Sequence, residues 1–157
     1  MVHVFENFLE ESECKPYIER MYNKWSLSQS MVNWDERTID ISNEPIVIRV
    51  MKFLEDKLNV KLTCNQAQIQ IWPKGSRSDL HVHEEGDREV TDFNSLIYLN
   101  NDYEGGEFYT GDGFVYKPSI GALTFFNGRI RTHGVKDVHK AHRYTLIFWW
   151  KNTVLGL

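Results

Sequence analysis

Apolar residues recur at helical spacing in two stretches near the start of the chain, and at alternating positions through most of the remainder. Ser12 precedes Glu13-Cys14-Lys15-Pro16-Tyr17-Ile18-Glu19-Arg20-Met21-Tyr22, where Ile18, Met21 and Tyr22 fall on one helical face. That spacing predicts a helix capped by Ser12, with Pro16 in its first turns. A second helix is predicted over residues 43–58, because Pro45 lies near its start and Ile46, Val50, Phe53, Leu54 and Leu58 repeat at three and four. The polar stretch 26–41 between them reads as loops or an edge strand. From Lys61 the period drops to two, through Leu62, Cys64 and Gln68-Ile69-Gln70-Ile71-Trp72, and breaks at the turn-forming Pro73-Lys74-Gly75-Ser76. Further strands are expected at 95–99, 107–110, 114–116, 122–126 and 144–150, each bounded by Gly, Pro, Asn or Asp. Many short strands at this spacing predict a sandwich or barrel, so two helices in front make the fold class α+β.

Composition fits one such unit. The 157 residues are 41% hydrophobic and 25% charged, enough for a single domain over 1–157 with a sizeable core and no repeat, low-complexity tract or linker. A net charge of −4 gives no basic field, and isolated spots such as Arg129 and Arg131 do not change that, so nucleic acid is not expected as a partner. No apolar run is long enough to span a bilayer and the N-terminal stretch lacks signal-peptide order, which leads to the expectation of a soluble, intracellular, cytoplasmic protein. Cys14 and Cys64 are far apart and lack metal-type spacing, as packed free thiols would.

Candidate chemistry concentrates in Asp79-Leu80-His81-Val82-His83-Glu84-Glu85, read with His133 and Arg143. On a strand, residues two apart point to the same face, so His81 and His83 can hold one metal between them. Open non-haem iron sites take three protein ligands on one face of the metal. His81 and a residue two further on would supply two, and His133 the third from another strand. Asp79, Glu84 and Glu85 are available to orient an imidazole. Surface or core histidines are the plain alternative for the same residues.

The order of the remaining motifs adds to this. Val4-Phe5-Glu6-Asn7-Phe8-Leu9-Glu10-Glu11-Ser12-Glu13-Cys14 resembles the opening of the prolyl 4-hydroxylase-like domains of the iron(II)/2-oxoglutarate-dependent dioxygenases. His81-Val82-His83 stands where that family has His-x-Asp. Leu96-Ile97-Tyr98-Leu99-Asn100 and Tyr103-Glu104-Gly105-Gly106-Glu107-Phe108 resemble its tyrosine-bearing strand and Gly-Gly-Glu hairpin. Pro118-Ser119-Ile120-Gly121-Ala122-Leu123, Phe125-Phe126-Asn127, His133-Gly134-Val135 and Arg143-Tyr144-Thr145-Leu146 come next in the family's order. The resemblance implies a double-stranded β-helix of jelly-roll type, with two preceding helices packed on one sheet. It implies Fe(II) as metal, 2-oxoglutarate as cosubstrate, O2, ascorbate as reductant, and hydroxylation of a C–H bond. A peptidyl residue such as proline is the first substrate expectation, with a small molecule as the alternative. Arg143 and Tyr98 would hold the distal carboxylate of 2-oxoglutarate, and Thr145 shares the inward parity of Arg143.

At position 83 the chain departs from the family pattern. Either His81, His83 and His133 bind the metal, or the register slides so that His83 and Glu85 replace His-x-Asp and His81 moves outward. The step from Gly75 to His81 fits the family spacing and favours the three histidines. A halogenase is disfavoured because a histidine fills the position such enzymes leave open for a halide. Gly75 before His81-x-His83 also resembles half of a cupin motif, so a cupin not using 2-oxoglutarate, or an inactive binding module on the same fold, stands as the alternative function. Trp72, Trp149 and Trp150 are expected in the core rather than along a pocket, and His139 and His142 as a solvated loop pair. The acidic run at 84–87 reads as a solvated loop that would also suit a basic substrate segment.

Overall fold

The computed structural model describes residues 2–81, 91–117, 119–128 and 133–153, with the side chains of 78–81 excepted. Helix α1 (Glu11–Trp25) starts ahead of Ser12, because Glu10 takes the extended cap conformation and the Glu13 carboxylate accepts its N–H at 3.0 Å. Ser12 therefore lies inside the first turn. Glu13 also accepts from Arg49 at 2.6 Å, which holds its carboxyl below the usual range and ties α1 to helix α2 (Pro45–Leu58). Pro45 opens α2 at a position where its missing N–H costs nothing, and Asn59 closes it in the left-handed conformation.

The strands, in chain order, are β1 (His3–Phe5), β2 (Thr38–Asp40), β3 (Leu62–Trp72), β4 (Ser78–His81), β5 (Phe93–Tyr98), β6 (Glu104–Gly105), β7 (Phe108–Thr110), β8 (Val115–Tyr116), β9 (Leu123–Phe126), β10 (His133–Val135), β11 (Val138–His139) and β12 (Arg143–Asn152). They form a six-stranded sheet ordered β1-β9-β5-β12-β3-β2, a four-stranded sheet ordered β4-β10-β7-β8, and the small ribbon β11-β6. Every pairing among these strands is antiparallel. Two antiparallel sheets with two helices outside the larger one make the expected jelly-roll arrangement. β2, the edge of the large sheet, is the strand that the polar stretch 26–41 leads into. Among the described residues, no helix is long and apolar enough to cross a membrane.

The period-two pattern divides the large sheet into two environments. Ile69 and Ile71 of β3, Ile97 of β5, Leu123 and Phe125 of β9, and Leu146, Phe148 and Trp150 of β12 pack with Met21, Trp25, Val50 and Leu54 of the helices in one apolar core. Burying each such side chain contributes about 1.5–3 kcal/mol, which is what fixes the strand register. A one-residue slip would turn the whole set the other way. The alternate positions, Gln66, Gln68, Gln70 and Trp72 on β3 and Arg143, Ile147 and Trp149 on β12, face a cavity between the sheets.

Candidate active site

That cavity has a volume of about 420 Å³. Its floor is the inner face of the large sheet. Phe108, His133, Gly134 and Val135 of the small sheet close it from the other side, and Trp34, Asp35 and Thr38 line it from the segment leading into β2 and from β2 itself. His133 is 6% exposed, stacked on Phe108 at 5.8 Å between ring centroids and edge-on to Phe126 at 5.0 Å. The backbone register of β10 and β4 sets His81 directly across from His133. The His81 side chain, His83, Glu84, Glu85 and Asp87 lie outside what the structure describes, as do Pro118, Arg129 and Arg131.

Arg143 opens β12, opposite Trp72 on β3. Thr145, two residues on, is opposite Gln70 on one side and Tyr98 of β5 on the other. The register thus brings together the three residues that the resemblance assigned to the cosubstrate. Asn100 fixes the start of the strand: it accepts the Tyr144 N–H at 2.9 Å and donates to the His142 carbonyl at 2.8 Å, gripping the backbone on both sides of Arg143. The guanidinium lies 5.5 Å from the ring of Trp72 and 5.3 Å from that of Tyr98. Gly106, at φ +68°, lets the hairpin approach. A Cβ there would meet the Tyr103 ring at 2.8 Å and Arg143 Cδ at 3.2 Å.

The chamber around Arg143 is chemically unbalanced. Arg143 is 1% exposed, and its Nε and Nη2, with Tyr98 Oη, Tyr103 Oη and Thr145 Oγ1, are buried without a hydrogen-bond partner among the described residues. Native interiors leave few such groups, so several converging on one guanidinium call for an acceptor-rich ligand. Burial pushes the Tyr98 phenol well above its usual range against the opposing pull of the Arg143 charge, and it does the same to Tyr103. Both are therefore neutral donors near neutral pH. A carboxylate, with lone pairs for an arginine fork and for neighbouring hydroxyls, fits this donor set.

Other side chains stand apart from the sequence expectations. Trp72 and Trp149 line the cavity, whereas Trp150 is core and donates to Ser95 Oγ at 2.9 Å. His142 is not a solvated loop residue. It stands edge-on to Trp25 at 4.7 Å, its Nδ1 accepts the Lys74 N–H at 3.0 Å, and burial lowers its pKa. His139 is exposed, as expected. Tyr103 and the inward glutamines of β3 were not read from the sequence as site residues. The hairpin motif contains Tyr103 and could have pointed to it, but nothing in the sequence marks the glutamines except their parity with Trp72.

Comparison with known proteins adds a family match, a relative and two solved structures. Residues 67–151, from the middle of β3 almost to the end of β12, match the family model described as the 2OG-Fe(II) oxygenase superfamily. Prolyl 3-hydroxylase 1 of Gallus gallus is 35% identical over 66 residues, a stretch covering 38% of this chain and 9% of that protein's length. Among solved structures, the viral collagen prolyl hydroxylase of Paramecium Bursaria Chlorella virus-1 superposes with a TM-score of 0.72 at 16% identity, covering 98% of this chain and 96% of that one. A Pseudomonas putida prolyl-4-hydroxylase gives 0.70 at 15% identity, covering 96% and 91%. At these identities the structural matches establish the jelly-roll fold.

Proposed function

Because the chain belongs to the 2OG-Fe(II) oxygenase superfamily, a family that implies Fe(II) and 2-oxoglutarate, we propose that it hydroxylates a C–H bond of a peptidyl residue, proline first. The observation that carries this reading is the set of buried, unpartnered donors around Arg143, which lines one cavity with His133. Arg143 pairs with the distal carboxylate of 2-oxoglutarate, Tyr98 donates its phenol to the same group, and the Thr145 hydroxyl supports it. His81, His83 and His133 hold the iron. Imidazole is a suitable donor for that metal, and the cross-strand register of His81 with His133 supports the set. When bound, Fe(II) and 2-oxoglutarate supply the oxidative decarboxylation, to succinate and carbon dioxide, that is coupled to oxygen insertion into a C–H bond. Phe108, Phe126 and Leu96 keep water from the reacting end of the cavity. Ascorbate serves as the reductant that keeps the iron in its ferrous state. The prolyl hydroxylases among the relatives support a peptidyl substrate.

The test is incubation of the iron-loaded protein with 2-oxoglutarate, ascorbate, oxygen and proline-containing peptides. Succinate should form in step with the gain of one oxygen atom by a peptide, read by mass spectrometry. Binding of 2-oxoglutarate with no succinate formed under any of these conditions would make the protein a binding module instead.

A further inference from the structure

Three glutamines occupy successive inward positions of β3. Gln66 lies opposite Trp149, Gln68 opposite Ile147 and Gln70 opposite Thr145, and all three line the cavity. They are not a solvated strand edge, since β2 pairs with β3 along Gln68 and Gln70, and Gln70 is 7% exposed. Polar side chains on the inside of a cavity that Leu96, Phe108, Phe126 and Ile147 also line cost desolvation unless they find partners.

Two of these partners are internal, and they have a direction. The Trp72 indole, which can only donate, gives its N–H to Gln70 Oε1 at 3.2 Å. That turns the Gln70 amide nitrogen outward, and it donates to Gln68 Oε1 at 3.2 Å. The Gln68 oxygen is thereby engaged, while its N–H groups are committed to no bond among the described residues. The relay begins at a residue that cannot accept and ends in donors facing the cavity. Next along the wall, Gln66 offers a carboxamide with both donor and acceptor. Inward positions on one strand repeat every ~6.6 Å, which is the distance after which an extended peptide presents its next equivalent carbonyl.

We infer that Gln68 selects the substrate by donating to a main-chain carbonyl of an extended peptide segment, with Gln66 assisting and with Trp72 and Gln70 as positioning residues. The inference rests on the hydroxylase reading and extends it to the residues that choose between a peptide and a free amino acid. Neutral carboxamides match the neutral donors and acceptors of a peptide main chain.

The test uses the intact protein loaded anaerobically with Fe(II) and 2-oxoglutarate, titrated with an end-capped five-residue peptide carrying a central proline, and separately with free proline. Gln68→Leu should weaken peptide binding about tenfold, the loss of one hydrogen bond, and leave the 2-oxoglutarate affinity unchanged, which also shows that the variant folds. Gln68→Glu keeps the acceptor for Gln70 but loses the donor, and should weaken the peptide at least as much. If Gln70 acts through Gln68, the double variant Gln68→Leu/Gln70→Leu should bind the peptide no more weakly than Gln68→Leu alone. Equal peptide affinity in the wild type and Gln68→Leu would overturn the inference while the hydroxylase reading stands, whereas no peptide binding at all would overturn the inference together with the peptidyl part of that reading. Binding of free proline in preference to the peptide would likewise overturn both. Failure of the wild type to bind 2-oxoglutarate would instead remove the reading beneath it.

Discussion

A guanidinium buried as deeply as that of Arg143, with no carboxylate beside it among the described residues, carries a desolvation cost of several kcal/mol. Its contacts with Trp72 and Tyr98 return only about 0.5–2 kcal/mol each, and a bound carboxylate would supply the balance. The metal end raises a different question at the same scale, because the three-histidine and shifted sets differ in whether His81 or Glu85 is a ligand. Since loss of a residue that merely orients a ligand costs about 10–100-fold in metal affinity, His81→Ala should cost about a hundredfold or more, and Glu85→Ala far less. Iron titration of the two variants measures this, and near-full affinity in His81→Ala would sink the three-histidine assignment. The proximity of Arg143, Tyr98 and Thr145 was legible in the sequence because strand parity ties Arg143 to Thr145 and motif order adds Tyr98. Tyr103 was not, since it reaches the chamber through the Gly105-Gly106 turn rather than along a strand. Nor were Gln66, Gln68 and Gln70, because glutamine in a strand ordinarily reads as a solvent-facing position.

At the scale of elements, β12 does two jobs through its alternation, holding the cavity with one set of side chains and the helices with the other. Its entry depends on Asn100 and on His142, whose neutral Nδ1 accepts the Lys74 N–H. The folded-state pKa of His142 lies below its ordinary value, through burial first and the nearby Lys74 charge second. The unfolded chain therefore takes up this proton more readily. The stabilisation is fully present above about pH 6.5 and is lost as pH falls through the lower folded value. Thermal melts between about pH 7 and pH 5 should show Tm falling, and His142→Gln, which keeps an acceptor but does not titrate there, should flatten that dependence. Equal slopes in the two proteins would contradict this role. The position of His142 was not legible because its neighbours Trp25 and Lys74 are distant in sequence. The start of α1 was misplaced for a simpler reason: Ser12 is the better intrinsic cap, but the Glu10–Glu13 bond and the Arg49 bridge decide the matter.

For the molecule as a whole, the period-two pattern specified two sheet faces, and burial of one against the helices assigned the other to the cavity. The α+β class, the two helices and the principal strands were legible for that reason. The two- and three-residue strands β1, β6 and β11 were not, because their pairing comes from the sheets around them rather than from their own pattern, and β4 and β10 were expected only as carriers of His81 and His133. The central claim about the molecule is that one chamber binds 2-oxoglutarate through Arg143 and iron through histidines. Anaerobic titration with Fe(II) and 2-oxoglutarate, monitoring the visible metal-to-ligand charge-transfer band, tests it most directly. The wild type should give a saturable band, and Arg143→Ala should need about a hundredfold more 2-oxoglutarate to reach it, with iron affinity unchanged. Iron-loaded wild type that gives no band, or an Arg143→Ala variant that saturates as readily as the wild type, would contradict the account.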